Sequence, residues 1–217
     1  MKYIIGDVFK SCCDNGMAIC FSDYKILEKK DAAYIIGQGL TYNEFIQLLN
    51  DDNPFNFHIN KVDLVSTHKH KDRNSLIVNF MKLERGQFSA GMYIHGDNDL
   101  LMDHVTGFHI PGIALIEAAR ELFIVSLSYL GLGEERFILK DISSEFFLYV
   151  FPVEVQLFMS LECLKDTKGE KIYQAYIKIF QSGRDCAVLQ ITASLVPENV
   201  AGFNELLSSK NVFLSEG

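Results

Sequence analysis

The chain has no sustained run of Lys or Arg: 20 basic residues stand against 28 acidic ones, for a formal net charge of −8. A broad basic face for a phosphate backbone is therefore excluded, and nucleic acid is not an expected partner. No stretch approaches the ~18 uncharged apolar residues that a bilayer-spanning helix needs. The N-terminal Met1-Lys2-Tyr3-Ile4-Ile5-Gly6-Asp7 has no apolar segment of signal-peptide length. A soluble, cytoplasmic protein without membrane contacts is the expectation. Cysteine is sparse and odd in number. Cys12, Cys13, Cys20, Cys163 and Cys186 have none of the spacings of a zinc site, so free thiols in a reducing compartment are expected. No glycine loop of phosphate-cradling type occurs, and no long series of parallel strand–helix–strand units. No cofactor and no metal are expected.

What is present fits one large domain, or one domain with an extension: 217 residues, 48% hydrophobic and 22% charged. In residues 1–60, the apolar runs Tyr3 to Phe9 and Met17 to Phe21 flank Cys13-Asp14-Asn15-Gly16, which reads as a hairpin turn. Thr41 and Glu44 have capping-box spacing ahead of an apolar run, so a helix should start at Thr41 and end before Asp51-Asp52-Asn53-Pro54. A boundary falls near Lys61, dividing an N-terminal extension (1–60) from a main domain (61–197) and a C-terminal tail (198–217). In the main domain, Ser75 to Leu83 and Gln87 to His95 read as two strands joined at Glu84-Arg85-Gly86. A helix follows from about Pro111 to Tyr129, stopping at Gly131-Leu132-Gly133. Phe137 to Phe151, Val153 to Lys165, Lys171 to Gln181 and Ala187 to Val196 read as four further strands with tight turns. Short connections imply antiparallel pairing. The helix is apolar almost all round, as a buried helix is. The expected fold class is therefore α+β, an antiparallel sheet of about six strands wrapped around one long helix.

The segment from Asp103 to Arg120 concentrates the groups that can do chemistry. His104 and His109 precede Pro111-Gly112, and Glu117 and Arg120 lie on the helix that follows. Proline is pre-set for the first helical position, where its missing N–H costs nothing. The N–H groups of Gly112 and Ile113 at the helix start can stabilise a carbonyl oxygen as it gains negative charge. A histidine beside them can exchange a proton near neutral pH. Burial of Glu117 would raise its pKa and make it an acid, or an orienting partner for a histidine. The plain alternative is a thin wet stripe on an amphipathic helix: at ~100° per residue, Glu117, Arg120, Glu121 and Ser128 share one arc. Glu117 and Arg120, three apart, can then simply pair. His58, His68, His70 and His95 lack the companions of a metal site. His68, Lys69, His70, Lys71 and Arg73 form the densest basic cluster, read as a solvated loop or as the one candidate docking patch for an acidic carrier protein. Phe146-Phe147-Leu148-Tyr149-Val150-Phe151 is apolar on both faces, as core and subunit interface are, or as the wall of an acyl tunnel.

Asp103-His104, then His109-Ile110-Pro111-Gly112, then Ile116-Glu117-Ala118-Ala119-Arg120 resembles the A-factor synthase (AfsA-like) hotdog family. That family carries Asp-His, His-Val-Pro-Gly and Leu-Glu-Ala-Ala-Arg-Gln. Thr67-His68-Lys69-His70 resembles the lead-in to its first strand, and the likeness covers about residues 64–197. Phe108 stands where the family often has an acid, and Glu121 where it usually has Gln. The family's synthases hold two hotdog units in tandem, whereas this length fits one unit with an extension. The segment is more distantly similar to β-hydroxyacyl-ACP dehydratases. Their His-to-acid separation is one residue longer than that from His104 to Glu117, so either histidine can be the equivalent. The resemblance implies a homodimer acting on acyl-ACP or acyl-CoA. His104, His109 and Glu117 would be catalytic, Gly112 and Ile113 would supply backbone donors, and Asp103 and Arg120 would support. The implied reaction is transfer of a β-ketoacyl group to a small hydroxylated acceptor, in secondary-metabolite or signalling-lipid synthesis. Dehydration of a β-hydroxyacyl thioester, or non-catalytic acyl binding or assembly, are the alternatives.

Overall fold

The computed structural model describes residues 2–16, 18–27, 34–50, 59–99 and 107–214. Strands β1 (Lys2–Ile5), β2 (Ala18–Cys20) and β3 (Tyr34–Ile36) form a small parallel sheet in the order β2-β1-β3. The turn expected at Asn15-Gly16 therefore closes no hairpin. Parallel neighbours need a crossover, and a 3-10 segment over Asp7–Asn15 supplies it, ending at Gly16 with φ 73. After β2 comes α1 (Phe21–Lys25), and after β3 comes α2 (Tyr42–Leu49). Thr41 caps α2 as its spacing predicts: its hydroxyl accepts from Glu44 N–H at 3.3 Å, and the Glu44 carboxylate accepts from Thr41 N–H at 2.8 Å.

A short turn, α3 (Leu64–Thr67), leads to the main sheet. Its strands are β4 (Ile77–Lys82), β5 (Gln87–Met92), β6 (Arg136–Phe146), β7 (Val155–Asp166), β8 (Lys171–Gln181) and β9 (Arg184–Val196). They lie antiparallel in the order β4-β5-β7-β8-β9-β6. Between β5 and β6 the chain forms α4 (Gly112–Tyr129), and after β9 it forms α5 (Glu198–Leu214), so the segment read as a tail is helical. Val155, Leu157 and Met159 of β7, Ala175, Ile177 and Ile179 of β8, and Leu189, Ile191 and Ala193 of β9 all turn inward. Period-two alternation gives each strand one buried face, and these faces close on α4. Eleven of the eighteen α4 residues are buried. At its end Gly131 adopts φ 80, its N–H bonds the Ser128 carbonyl, and Leu132 N–H bonds that of Leu127. This paired closure is the glycine stop expected there.

The edges of the sheet differ. Along β4, Asn79 donates to the Asn60 carbonyl at 2.8 Å and Lys61 bridges Val78, so the preceding chain covers that edge. Edge strand β6 exposes Ile138, Leu139 and Phe146. Phe147, Leu148, Tyr149 and Phe151 beyond it are exposed too, and only Val150 is buried. The aromatic run is thus not core, because the strand ends at Phe146 and the chain leaves the sheet.

The N-terminal unit joins the main sheet through Gln38, which is 2% exposed. Its side-chain amide donates to Val153 O at 2.7 Å and accepts from Ile94 N at 3.0 Å. Gly96 lets the two backbones meet here: a Cβ on it would stand 2.2 Å from Gly39 O. Gln38→Leu strands the buried Ile94 N–H, at ~1–3 kcal/mol, and the partly buried Val153 C=O. Urea unfolding should register a loss of about 3 kcal/mol; a loss near zero would show that the two units are held together elsewhere.

Candidate functional site

Asp103 and His104 lie outside the described residues. His109 occupies the loop before α4. That loop is pinned on both sides: Ile110 N–H donates to Val150 O at 2.8 Å, and the Cys12 thiol donates to Phe108 O at 2.6 Å. The His109 ring lies against Tyr149, with centroids 4.7 Å apart. Pro111 is extended (φ −61, ψ 143) and serves as the N-cap, so Gly112, rather than the expected proline, is the first helical residue. Among the described residues no side chain caps this terminus. The first N–H groups of a helix have no intrahelical acceptor, so those of Gly112 and Ile113 carry the positive end of the helix dipole outward. Ile113 is half exposed. The Phe146 ring approaches within 3.4 Å of where a Gly112 Cβ would stand, which sets the helix start beside the end of edge strand β6.

Glu117 lies one and a half turns further in. Arg120 grips its carboxylate with two hydrogen bonds of 2.7 Å, and the Lys69 ammonium donates to the same group. The Lys69 side chain is only 7% exposed. Burial pushes the Glu117 pKa up, but the hydrogen bonds and charges of Arg120 and Lys69 outweigh it, and the net shift is downward. The sequence-based expectation of a raised pKa is therefore corrected: two cations hold Glu117 ionised, and it has no proton to give near neutral pH. The expected Glu117–Arg120 pair is present. Lys69 is the partner that sequence reading missed, because it is remote in sequence.

The acid that burial does push up is Glu121, which is fully buried. Hydrogen bonds from Ser75 Oγ at 2.5 Å and Leu76 N–H at 3.0 Å, and the Lys69 charge, oppose that shift without cancelling it. Position 121 is where the sequence departs from its resemblance; the signal available was its place four residues after Glu117 on the same polar arc.

Most of the basic cluster is solvated, as expected: His68, His70 and Lys71 are exposed and Arg73 is half-buried, and Lys69 is the exception. Lys69 turns inward to Glu117, and Lys71, Arg73 and Asn74 converge on Asp99 at 2.7, 2.8 and 3.3 Å. The hydrogen bond from Lys71, with help from Arg73 and Asn74, brings the Asp99 carboxyl down to about 2. His68 takes φ 57 in a turn.

A family model for the A-factor biosynthesis hotdog domain matches residues 51–197. The chain belongs to the A-factor biosynthesis hotdog domain family. No curated protein matches it. Among solved structures it is similar to a mutant thioesterase from Pseudomonas aeruginosa, with 14% identity, 56% of this chain and 81% of that one covered, and a TM-score of 0.42. It is similar to the yhdA protein of Lactococcus lactis at 19% identity, with coverage of 57% and 95% and a TM-score of 0.45. A hypothetical thioesterase protein of Streptococcus pneumoniae, crystallised with coenzyme A, gives 14%, 55% and 85%, and 0.38.

Among the described residues no three His, Cys, Asp or Glu side chains converge on a common point. His58 lies outside the described residues. His95 is buried against Tyr42, Phe45 and Tyr93. It lines a cavity of about 20 Å³ with Tyr93, Asp72, Lys61 and Ser75, room for about one water-sized group. Burial lowers its pKa to about 4. An imidazole whose folded pKa lies below its unfolded value of ~6.5 contributes stability that is complete above pH 6.5 and is lost as pH falls towards 4. Urea unfolding at pH 7.5 and 4.5 should show a drop of about 2–3 kcal/mol that His95→Gln greatly reduces. An equal drop in both proteins would mean that His95 is not what titrates.

Proposed function

We propose that this hotdog domain is an acyl-thioester enzyme that transfers a β-ketoacyl group from coenzyme A or acyl carrier protein to a small hydroxylated acceptor. The product would be a precursor of a secondary metabolite or signalling lipid. The observation that carries this reading is the start of α4, where no described side chain caps the Gly112 N–H and the loop just before it carries His109, three residues earlier. An acceptor hydroxyl attacks the thioester carbonyl while His109 takes its proton. Gly112 N–H, with Ile113 N–H beside it, holds the resulting oxyanion. Collapse of the tetrahedral intermediate expels the thiolate, which recovers the proton from the imidazolium. His104, preceded by Asp103, is the second candidate base. Glu117 stays ionised in this scheme, and it fixes Arg120 and Lys69 rather than donating a proton.

The reading includes a homodimer. The long edge of β6 exposes Ile138, Leu139 and Phe146 among charged and polar residues; exposed edges are what proteins pair or cover, and pairing this one with the same strand of a second copy would enclose the helix start beside Phe146. Lys69 is sequestered by Glu117, whereas Lys71 and Arg73 stay open to solvent beside Asp99, so the carrier in this reading is either coenzyme A or an acidic carrier protein docking on Lys71 and Arg73.

Mass spectrometry of β-ketoacyl-coenzyme A incubated with the protein and a panel of hydroxylated acceptors should detect the acylated acceptor. Release of water from a β-hydroxyacyl thioester would assign a dehydratase instead, and turnover of no acyl thioester would leave a binding or assembly role. Gly112→Pro deletes the key N–H at a position where proline fits a helix, so the variant should fold and lose ~10²–10³ in kcat. His109→Ala should lose ~10²–10⁴. Full activity in Gly112→Pro would remove the helix start from the mechanism.

A further inference from the structure

We propose that Cys13 and Cys20 are a redox-reactive pair, a disulfide modification site that staples the N-terminal 3-10 segment to β2 beside the loop carrying His109. The two sulfurs lie 2.7 Å apart, so closing by about 0.7 Å reaches the ~2.05 Å of a covalent S–S bond. Cys13 stands near the end of the Asp7–Asn15 segment, and Cys20 closes β2 and precedes α1. Cys13 is partly exposed, whereas Cys20 is fully buried. Burial first, then the hydrogen bond with Cys13 and the nearby Asp7 and Asp23 carboxylates, push the Cys20 thiol up to about 12. Cys13 therefore meets an oxidant first and Cys20 acts second.

With a small disulfide as oxidant the chemistry balances. The Cys13 thiolate attacks one sulfur of the small disulfide, forming a mixed disulfide and releasing one small thiol. Cys20 then loses its proton and attacks Cys13 Sγ, releasing the second small thiol. The protein loses two electrons and two protons, and the oxidant gains both.

The pair is joined to the candidate site through neighbouring residues. Cys12 donates to Phe108 O at 2.6 Å, and Ser11 Oγ lies 3.0 Å from where a Gly107 Cβ would stand. Ser11 and Cys12, adjoining Cys13, thus rest on the two residues that precede His109. Oxidation locks the segment that makes these contacts. This inference is independent of the reaction proposed above.

The test incubates the full chain with oxidised glutathione, alkylates free thiols and cleaves before aspartates. Cleavage at Asp14 separates Cys12 and Cys13 from Cys20. Mass spectrometry should find these two peptides linked in the unmodified sequence and in Cys12→Ser. In Cys13→Ser the link should vanish, and in Cys20→Ser glutathione should remain on Cys13. A link that persists in Cys13→Ser, or labelling of exposed Cys163 with the Cys13–Cys20 pair still unlinked, would overturn the proposal.

Discussion

Enclosure of α4 by the curled sheet is the constraint on which the rest of the structure depends. Burying a large aliphatic or aromatic side chain stabilises by ~1.5–3 kcal/mol, and Leu115, Leu122, Phe123, Ile124 and Leu127 are all buried on this one helix. A helix so enclosed cannot leave a carboxylate unsatisfied. Glu117 and Glu121 therefore dictate what packs on them: Lys69 and Arg120 on the first, Ser75 and the Leu76 N–H on the second. The turn from α3 to β4 is held against the helix by these polar contacts as well as by apolar packing. Lysine and serine occur in that turn because the helix brings acids into it.

The same enclosure explains the placement of the candidate site. The middle of α4 is mostly buried, with Glu117 and Arg120 only partly exposed, and its first turn lies beside the end of edge strand β6. The positive end of the helix dipole and the N–H groups of Gly112 and Ile113 lie there, and the His109 ring packs on Tyr149 in the loop just before. The N-terminal unit steadies the same place: Gln38 ties it to Ile94 and Val153, and Cys12 holds the Phe108 carbonyl. Charge is divided along the helix, with backbone donors at its start, an acid at Glu117 whose pKa Arg120 and Lys69 hold down, and a fully buried acid at Glu121.

Legibility in the sequence followed the range of the interaction. Strand β8 was readable to the residue, because Ala175, Ile177 and Ile179 alternate and turn residues bound the run. The Thr41 cap and the Gly131 stop were readable because both are local. The Asn15-Gly16 turn misled, since its local signal is the same whether the next strand pairs antiparallel or crosses over to run parallel. The Phe-rich run misled in another way: hydrophobicity marks what is to be covered, not whether the same chain covers it. Lys69 and the Asp99 cluster were invisible because their partners lie 48 and 25 to 28 residues away. The Glu117 pKa was misjudged for the same reason: burial was foreseeable from the apolar helix, and its countercharge was not. The helix start was recognised from Pro111-Gly112 with its frame displaced by one residue.

The claim that the start of α4 receives a thioester carbonyl is tested most directly by a crystal structure of the protein with a stable acyl-coenzyme A analogue, in which a methylene replaces the thioester sulfur. The account predicts the analogue's carbonyl oxygen about 2.7–3.1 Å from the Gly112 nitrogen, with the His109 ring beside the carbonyl carbon. An analogue seated elsewhere, with the Gly112 N–H facing solvent in its presence, would contradict it.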